Sequence, residues 1–393
     1  MFTLQTHKFT AEHQELNQKR TIRSSEKVIA EQKMIWIQSI WDKKWLRKVN
    51  LEQKKHKEWM DSKEVEQKKS LADQYTKQAK DYLRSLNNIF NHALIVDNII
   101  DLDALAEFIE LKKPVEPYLQ SPPDEPCETD PQLVPDLKIM EKLVPSKKEK
   151  KIEELKQKFQ ECHLQWEQEK NHMEAEKQIA METYQKELEK WKMEKKKIID
   201  AINLRKQDLF IGNAESILDF ADMVLSDSNY PDMVTQEFDL DYDAPKKRLI
   251  VQYLFPSIEN FKIIKKYKYN KNKDKLEKVY ESENSINAIY DDTLYQIAIR
   301  TVYEIFSSDT NDNTESIVFT GWVESKPKDD TEKEGEKIKT CVMSVIADRD
   351  TYNALNFERM NAKSIFSKFD GVVDGKLSKL NRVTPYLEIN FDI

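Results

Sequence analysis

Two stretches of this chain hold the residue types that metal-assisted phosphodiester hydrolysis would use. Val323-Glu324-Ser325-Lys326 follows an apolar run and supplies a Glu-x-Lys, and Asp370-Gly371-Val372-Val373-Asp374-Gly375-Lys376 supplies two carboxylates and a lysine around glycines. That chemistry needs an Asp and a Glu-x-Lys or Gln-x-Lys on adjacent rigid strands, converging on a Mg²⁺ ion and its water. Glu324 and Lys326 lead instead into a charged loop, and Asp370 and Asp374 flank a glycine turn, so the sequence sets no converging metal-ligating strand beside either pair. The 6 histidines all fall within the first 172 residues on charged, helix-like stretches; His163 and His172 are nine apart and share no face closely. Cys127, Cys162 and Cys341 are odd in number and far apart, which fits neither a disulfide framework nor a zinc site. No phosphate-binding loop, dinucleotide fingerprint or nucleophile elbow occurs. The expectation is a protein that is not an enzyme, with no catalytic, cofactor-binding or metal-ligating residue.

Two further groups have the chemistry of contact rather than reaction. Lys262, Lys265, Lys266 and Lys268 interleave with Tyr267 and Tyr269. Cations for phosphates beside rings for bases suit nucleic acid, while lysines on an edge strand also serve to block edge pairing. Trp36, Trp41 and Trp45, with Ile37 and Ile40, form a concentrated apolar patch. It reads either as a knob cluster inside a coiled coil or as a docking surface for a partner protein.

The elements that must position these residues divide the chain in two. Residues 1–86 hold 19 Lys/Arg against 12 Asp/Glu, and residues 87–145 hold 4 against 12, so a net of +7 is followed by −8. Residues 12–93 contain no proline or glycine and read as one long helix, with a thin apolar seam between Leu51 and Leu71. A short acidic helix over Asp97–Leu111 completes a first domain, 1–111. Residues 112–145 carry 8 prolines among acidic residues and form an extended linker. A second helix, 146–211, spaces Ile152, Leu155, Phe159, Cys162 and Trp166 by threes and fours, with Met173 and Ala180 each a further heptad on. The steps Ala180–Tyr184–Leu188 are a stutter. Neither helix buries its stripe alone, so an antiparallel hairpin of the two is expected, with a parallel dimer of the second as the alternative. The N-terminus lacks an apolar signal region and no apolar run spans a bilayer, which leads to a cytoplasmic, non-membrane expectation.

Residues 212–393 hold all 5 glycines and read as a mixed module. The changeover lies in Ala214–Phe255, where helical spacing (Ile217, Phe220, Ala221, Val224) gives way to alternation (Phe238, Leu240, Tyr242) after Tyr230-Pro231. Strands are expected at Gln236–Tyr242, Arg248–Phe255, Phe261–Asn270, Ser316–Val323, Ile338–Ala347 and Tyr386–Phe391. The most apolar helix is expected at Ile286–Phe306, with Arg300 and Glu304 paired at i,i+4. One or two short helices are expected from Ala354 to Phe369. The fold class is α+β: a long helical coiled-coil arm followed by a mostly antiparallel sheet domain.

The stretch AESILDFADMVLSDSNYP with the following LIVQYLFPS, and the segments YDDTLYQIAIRTVYEIF, SIVFTGWV and VTPYLEINFD, resembles the non-catalytic N-terminal region of Mrr-type restriction endonucleases. The likeness reaches upstream to DNIIDLDALAEFIELKKPVEPY and covers roughly 70–393. It implies a helical arm and a non-catalytic module that would precede a nuclease domain, whose Gln-Ala-Lys strand does not occur in this sequence. Both Glu324-x-Lys326 and Asp370–Lys376 then fall inside the non-catalytic module. The resemblance implies an antiviral, restriction-like role as a coiled-coil and sensor subunit. Its partners would be a separate nuclease or ATPase subunit, further copies of itself, and DNA. Alternatives are a truncated endonuclease or a DNA-tethering structural protein.

Overall fold

The computed structural model describes residues 7–61, 65–96, 102–107, 111–127, 145–325 and 338–387. Its contacts divide into two units, Met1–Ile109 with Ile198–Ile393, and Glu110–Lys197.

The larger unit is built on a five-stranded sheet. Its strands are β3 Glu237–Asp243, β4 Arg248–Phe255, β7 Ser316–Ser325, β8 Ile338–Asp348 and β9 Asp370–Val373, and they lie side by side in that order. The β4–β7 pair is parallel and the other three are antiparallel. The run LIVQYLF has no polar alternation because β4 lies inside the sheet and is covered on both faces. Gly321 is required where Phe255 crosses β7, since a Cβ there would lie 2.0 Å from the Phe255 ring.

The crossover from β4 to β7 carries a ribbon, β5 Ile264–Asn270 with β6 Lys275–Tyr280, and then the central helix α7, Glu283–Ser308. Ser282 caps α7 by accepting from Ser285 N. From Tyr290 onward nearly every α7 residue is buried, so this helix forms the centre of the main core. Ile297→Ala or Leu294→Ala should each lower stability by about 2–5 kcal/mol, because both side chains are fully buried and the site cannot collapse around the loss. Denaturant unfolding at fixed pH reads this directly; a loss under ~1 kcal/mol for both would contradict it.

The N-terminal region departs from the single helix expected over 12–93. It opens with a ribbon, β1 His7–His13 and β2 Gln18–Ser24, followed by α1 Lys27–Asp61, α2 Val65–Asn87 and α3 Ile89–Ile95. Ile22 belongs to an alternating strand, not a helical stripe. The β1–β2 and β3–β4 hairpins share one loop: a 3-10 turn, then a left-handed residue, Asn17 (φ 50°) or Lys247 (φ 43°). Tyr75 Oη donates to Lys55 O at 2.9 Å across twenty residues, which a continuous helix would hold ~30 Å apart. The chain therefore doubles back between α1 and α2, at the thin seam. The new partner of α2 is the β5–β6 ribbon: Tyr267 N donates to Thr76 Oγ1 at 2.9 Å.

Helix α5, Pro145–Phe210, is the long helix expected from 146, and α6 is Ala214–Asp227. A second core joins α1 to the β1–β2 ribbon, to α4 (Ala104–Glu107) and to Ile198, Ile202 and Leu209 of α5. The smaller unit contains α5 up to Lys197 and the segment 111–127. Trp191 Nε1 donates to Leu111 O at 2.9 Å, and Trp166 Nε1 donates to Pro123 O at 2.7 Å. The segment thus runs antiparallel to the helix. Twelve residues at ~3.1 Å, the polyproline II rise, cover ~37 Å, as do the twenty-five helical residues from Trp166 to Trp191 at ~1.5 Å each. Its Leu111, Pro114, Pro117 and Pro126 are half-buried and lie at multiples of three, the period of that conformation. Of the expected pairing of the two long helices, α1 shares the second core with Ile198, Ile202 and Leu209 of α5, while in the smaller unit the stripe of α5 is accompanied by the proline-rich segment. No helix among the described residues is long and apolar enough to cross a membrane.

The remaining elements are α8 Arg349–Ala354 and α9 Ala362–Phe366, close to the expected short helices. The expected final strand lies mostly outside the described residues, as does 326–337 of the charged loop.

Candidate binding site

Asn213 caps α6 with its Oδ1 accepting from Glu215 N and Ser216 N. This cap aims Asp219 and Asp222, at i,i+3, toward the β1–β2 ribbon and the first turns of α1. Lys33 of α1 inserts between them, 2.9 Å from Asp219 Oδ1 and 2.7 Å from Asp222 Oδ2, and also donates to Arg23 O at 3.2 Å. Arg20 of β2 pairs with Asp222, donates to Ser226 Oγ and stacks on the Phe238 ring at 3.9 Å. Arg205 of α5 approaches Asp219 at 3.2 Å and Glu215 at 3.5 Å, and donates to Ser25 Oγ and Ser216 Oγ. Arg23 pairs with Asp239 of β3, and Ser24 Oγ donates to Asp219 Oδ2 at 2.9 Å.

Four cations (Arg20, Arg23, Lys33, Arg205) thus meet four carboxylates (Glu215, Asp219, Asp222, Asp239) contributed by β2, α1, α5, α6 and β3. Burial pulls Arg20 down to about 9, opposed by Tyr253 and Asp239, which leaves it charged at neutral pH. Burial likewise pulls the Lys33 ammonium below the ordinary lysine value, opposed chiefly by Asp219. Burying this many charges is costly and yields a net gain only with full pairing.

A cavity of about 350 Å³ opens above the network. Lys8, Arg23 and Lys33 line it against Glu215, Asp219, Asp222, Asp239 and Asp241, with Leu218, Phe238 and Leu240 as an apolar wall. Three positive groups and five carboxylates line it, and Glu215, Asp219 and Asp222 are also paired with Arg205 and Arg20 beneath, which leaves Asp241 as the lining carboxylate outside the buried network. Such a chamber suits a ligand that presents an amino or cationic group from an apolar body.

None of this was foreseen as a site. One signal was present: Ile29, Lys33, Ile37 and Trp41 follow one another at i+4, so Lys33 sits on the apolar stripe of its helix and demands buried acids. Asp219 and Asp222 inside the apolar run ILDFADMVL are the matching half.

The residues singled out for contact are placed differently. Trp36 and Trp41 are buried in the second core with Ile29, Ile37 and Met223, so a partner could reach them only by opening it. Trp45 is half-buried, edge-on to His13 at 6.1 Å with Lys48 over its face. The tyrosines of the basic strand turn inward: Tyr267 packs on Tyr75 at 5.7 Å and Tyr269 on Trp59 at 6.0 Å. Both half-buried rings thus pack against side chains of α1 and α2. Lys265 pairs with Glu281 at 3.2 Å, and Lys262 lines a groove with Tyr75, Tyr82 and Ile264. Lys266 and Lys268 point to solvent.

Of the two metal-like stretches, Glu324 lies opposite Lys339 in the β7–β8 register. Burial pulls Lys339 down to about 8, opposed first by Glu324. Lys326 lies outside the described residues. Asp370–Val373 is the edge strand β9, not a loop. Among the described residues no group of three or more His, Cys, Asp or Glu is arranged to hold a metal ion.

Comparison with known proteins returns no match among family models, curated proteins or solved structures.

Proposed function

We propose that this chain is a ligand-sensing, non-catalytic subunit of a restriction-like bacterial defence system that acts with a nuclease or ATPase on a separate chain. The observation that carries the sensing role is the cavity above the buried ion network. A pocket whose floor is a paired charge network and whose walls come from β2, α1, α6 and β3 couples any bound group to the packing of all four elements. The likeness of residues 70–393 to the non-catalytic region of Mrr-type endonucleases supports the choice of system. The ligand class follows from the lining: a small molecule or terminal group bearing an amine, seated against Leu218, Phe238 and Leu240.

Phage challenge of cells carrying the locus with and without this chain tests the role. Protection should require the chain, and Thr21→Trp, which fills the cavity without touching the buried pairs, should reduce it while the purified variant keeps its melting temperature. Equal restriction with the chain deleted, or full protection by a stably folded Thr21→Trp variant, overturns the reading. Plasmid incubated with the purified chain and Mg²⁺ should stay intact; cleavage that Glu324→Ala abolished would place the chemistry on this chain instead.

A further inference from the structure

The helix of the smaller unit carries a ladder of large aromatics, Trp166, Tyr184 and Trp191, and its two indoles donate to carbonyls of an extended proline-rich strand. Indole N–H groups over a polyproline II segment are the general chemistry by which aromatic grooves read proline-rich peptides. We propose that this helix face is a binding site for proline-rich extended peptides, held in the resting chain by residues 111–127 acting as a displaceable internal ligand.

Three observations argue for this. The match is largely periodic: Leu111, Pro114, Pro117 and Pro126 are half-buried on one period of three, Pro123 on that period is exposed and supplies its carbonyl to Trp166, and Leu119 is half-buried off it. Recognition uses backbone carbonyls and proline rings, which any peptide of the same conformation supplies. The seating is also shallow: on the opposite face Val115 is 88 % and Tyr118 is 91 % exposed, and most of the segment stays in water. A coiled-coil partner fits less well, because the positions that would alternate with Trp166 and Met173 are Glu169 and Glu176, both exposed. A narrow seam of single large residues suits one thin strand. The fitting partner therefore carries proline or leucine at every third residue, with an acidic residue past the last proline pair, where Glu125 meets His163 at 3.2 Å.

Tethering gives the internal strand a large effective concentration, so it should suppress binding in trans. The probe is a fluorescent peptide with the sequence of 111–127, titrated by anisotropy into the full chain and its variants. Leu111→Ser/Pro114→Ser/Pro117→Ser should unseat the internal strand and tighten peptide binding at least ~10-fold over wild type. Adding Trp166→Phe/Trp191→Phe should reverse that gain by roughly 10-fold, as both indole donors are lost while the rings remain. Val115→Ser/Tyr118→Ser, on the outward face, should behave as wild type. Circular dichroism monitors the helix throughout. If the unseated variant keeps its helix yet binds peptide no better than wild type, or binds equally well without the indoles, the proposal fails.

Discussion

Arg300→Met should destabilise the larger unit by about 3–5 kcal/mol, the range for removing one partner of a buried charge pair. Arg300 and Glu304 are each 1 % exposed, and Arg300 Nε donates to Glu304 Oε1 at 2.7 Å. The same guanidinium donates to Asn229 O at 2.9 Å and Ile89 O at 3.2 Å, and stacks on Tyr230 at 4.4 Å. One side chain therefore satisfies the backbone of α3 and of the turn after α6. Gln296, one turn earlier, holds the same region by accepting from Phe90 N and donating to Leu86 O. The variant strands two buried carbonyls and a buried carboxylate. Burial already holds Glu304 above its ordinary value, with Arg300 the strongest opposing influence. Without Arg300 it rises further, so above about pH 4 the native state keeps a proton that the unfolded chain releases. Stability of the variant relative to wild type then falls as pH rises through that window, and the deficit is smallest in acid. Denaturant melts of both proteins from pH 4 to 8 read the loss and its slope. Glu304→Gln in the Arg300→Met background should recover part of the loss at neutral pH; a flat, sub-kcal difference would remove the pair from the core.

That pair was legible in the sequence, because Arg300 and Glu304 stand one turn apart in the most apolar helix, where a polar residue must bring its own partner. Four of the five sheet strands, β3, β4, β7 and β8, were legible for a related reason: LIVQYLF and SIVFTGWV have no helical period and end at turn residues, whereas β9 was hidden by the glycine in Asp370–Val373. β6 was missed because KLEKVY is half lysine and glutamate; it forms a strand only since its ribbon lies on α2. The N-terminal half misled through its long stretch without proline or glycine. No proline or glycine interrupts the run from Lys27 to Asn87, so nothing in residue type alone announces that it divides into α1 and α2. The proline-rich segment 111–127 reads as linker because proline density excludes helix and ribbon, and its period of three at Leu111, Pro114, Pro117 and Pro126 is the one sign of a seated extended strand. The buried network was missed because its charges come from segments as far apart as Arg20 and Asp239. Only Lys33 and the Asp219–Asp222 pair advertise it locally.

Lys33→Met should cost a similar 3–5 kcal/mol, although methionine matches the lysine stem and sits on an apolar stripe. The reason is the pairing at its ammonium, which lies within 2.9 Å of Asp219 and 2.7 Å of Asp222 and also satisfies Arg23 O. Its removal leaves those carboxylates with Arg20 and Arg205 at the edges and nothing between them. If simple hydrophobicity decided the site, methionine would be neutral or better, so the sign of the change separates packing from pairing. The pH dependence adds a second test. Burial holds Lys33 below its ordinary value, so in the window beneath about pH 10.4 the unfolded chain binds the proton more tightly than the native one. Wild-type stability therefore gains from rising pH across that window, and Lys33→Met should lack this gain. Because Lys33 also forms part of the cavity floor, the variant should lose amine-ligand binding along with stability. A Lys33→Met protein as stable as wild type at neutral pH would show that Asp219 and Asp222 are satisfied by the arginines alone, and that the network is two independent pairs.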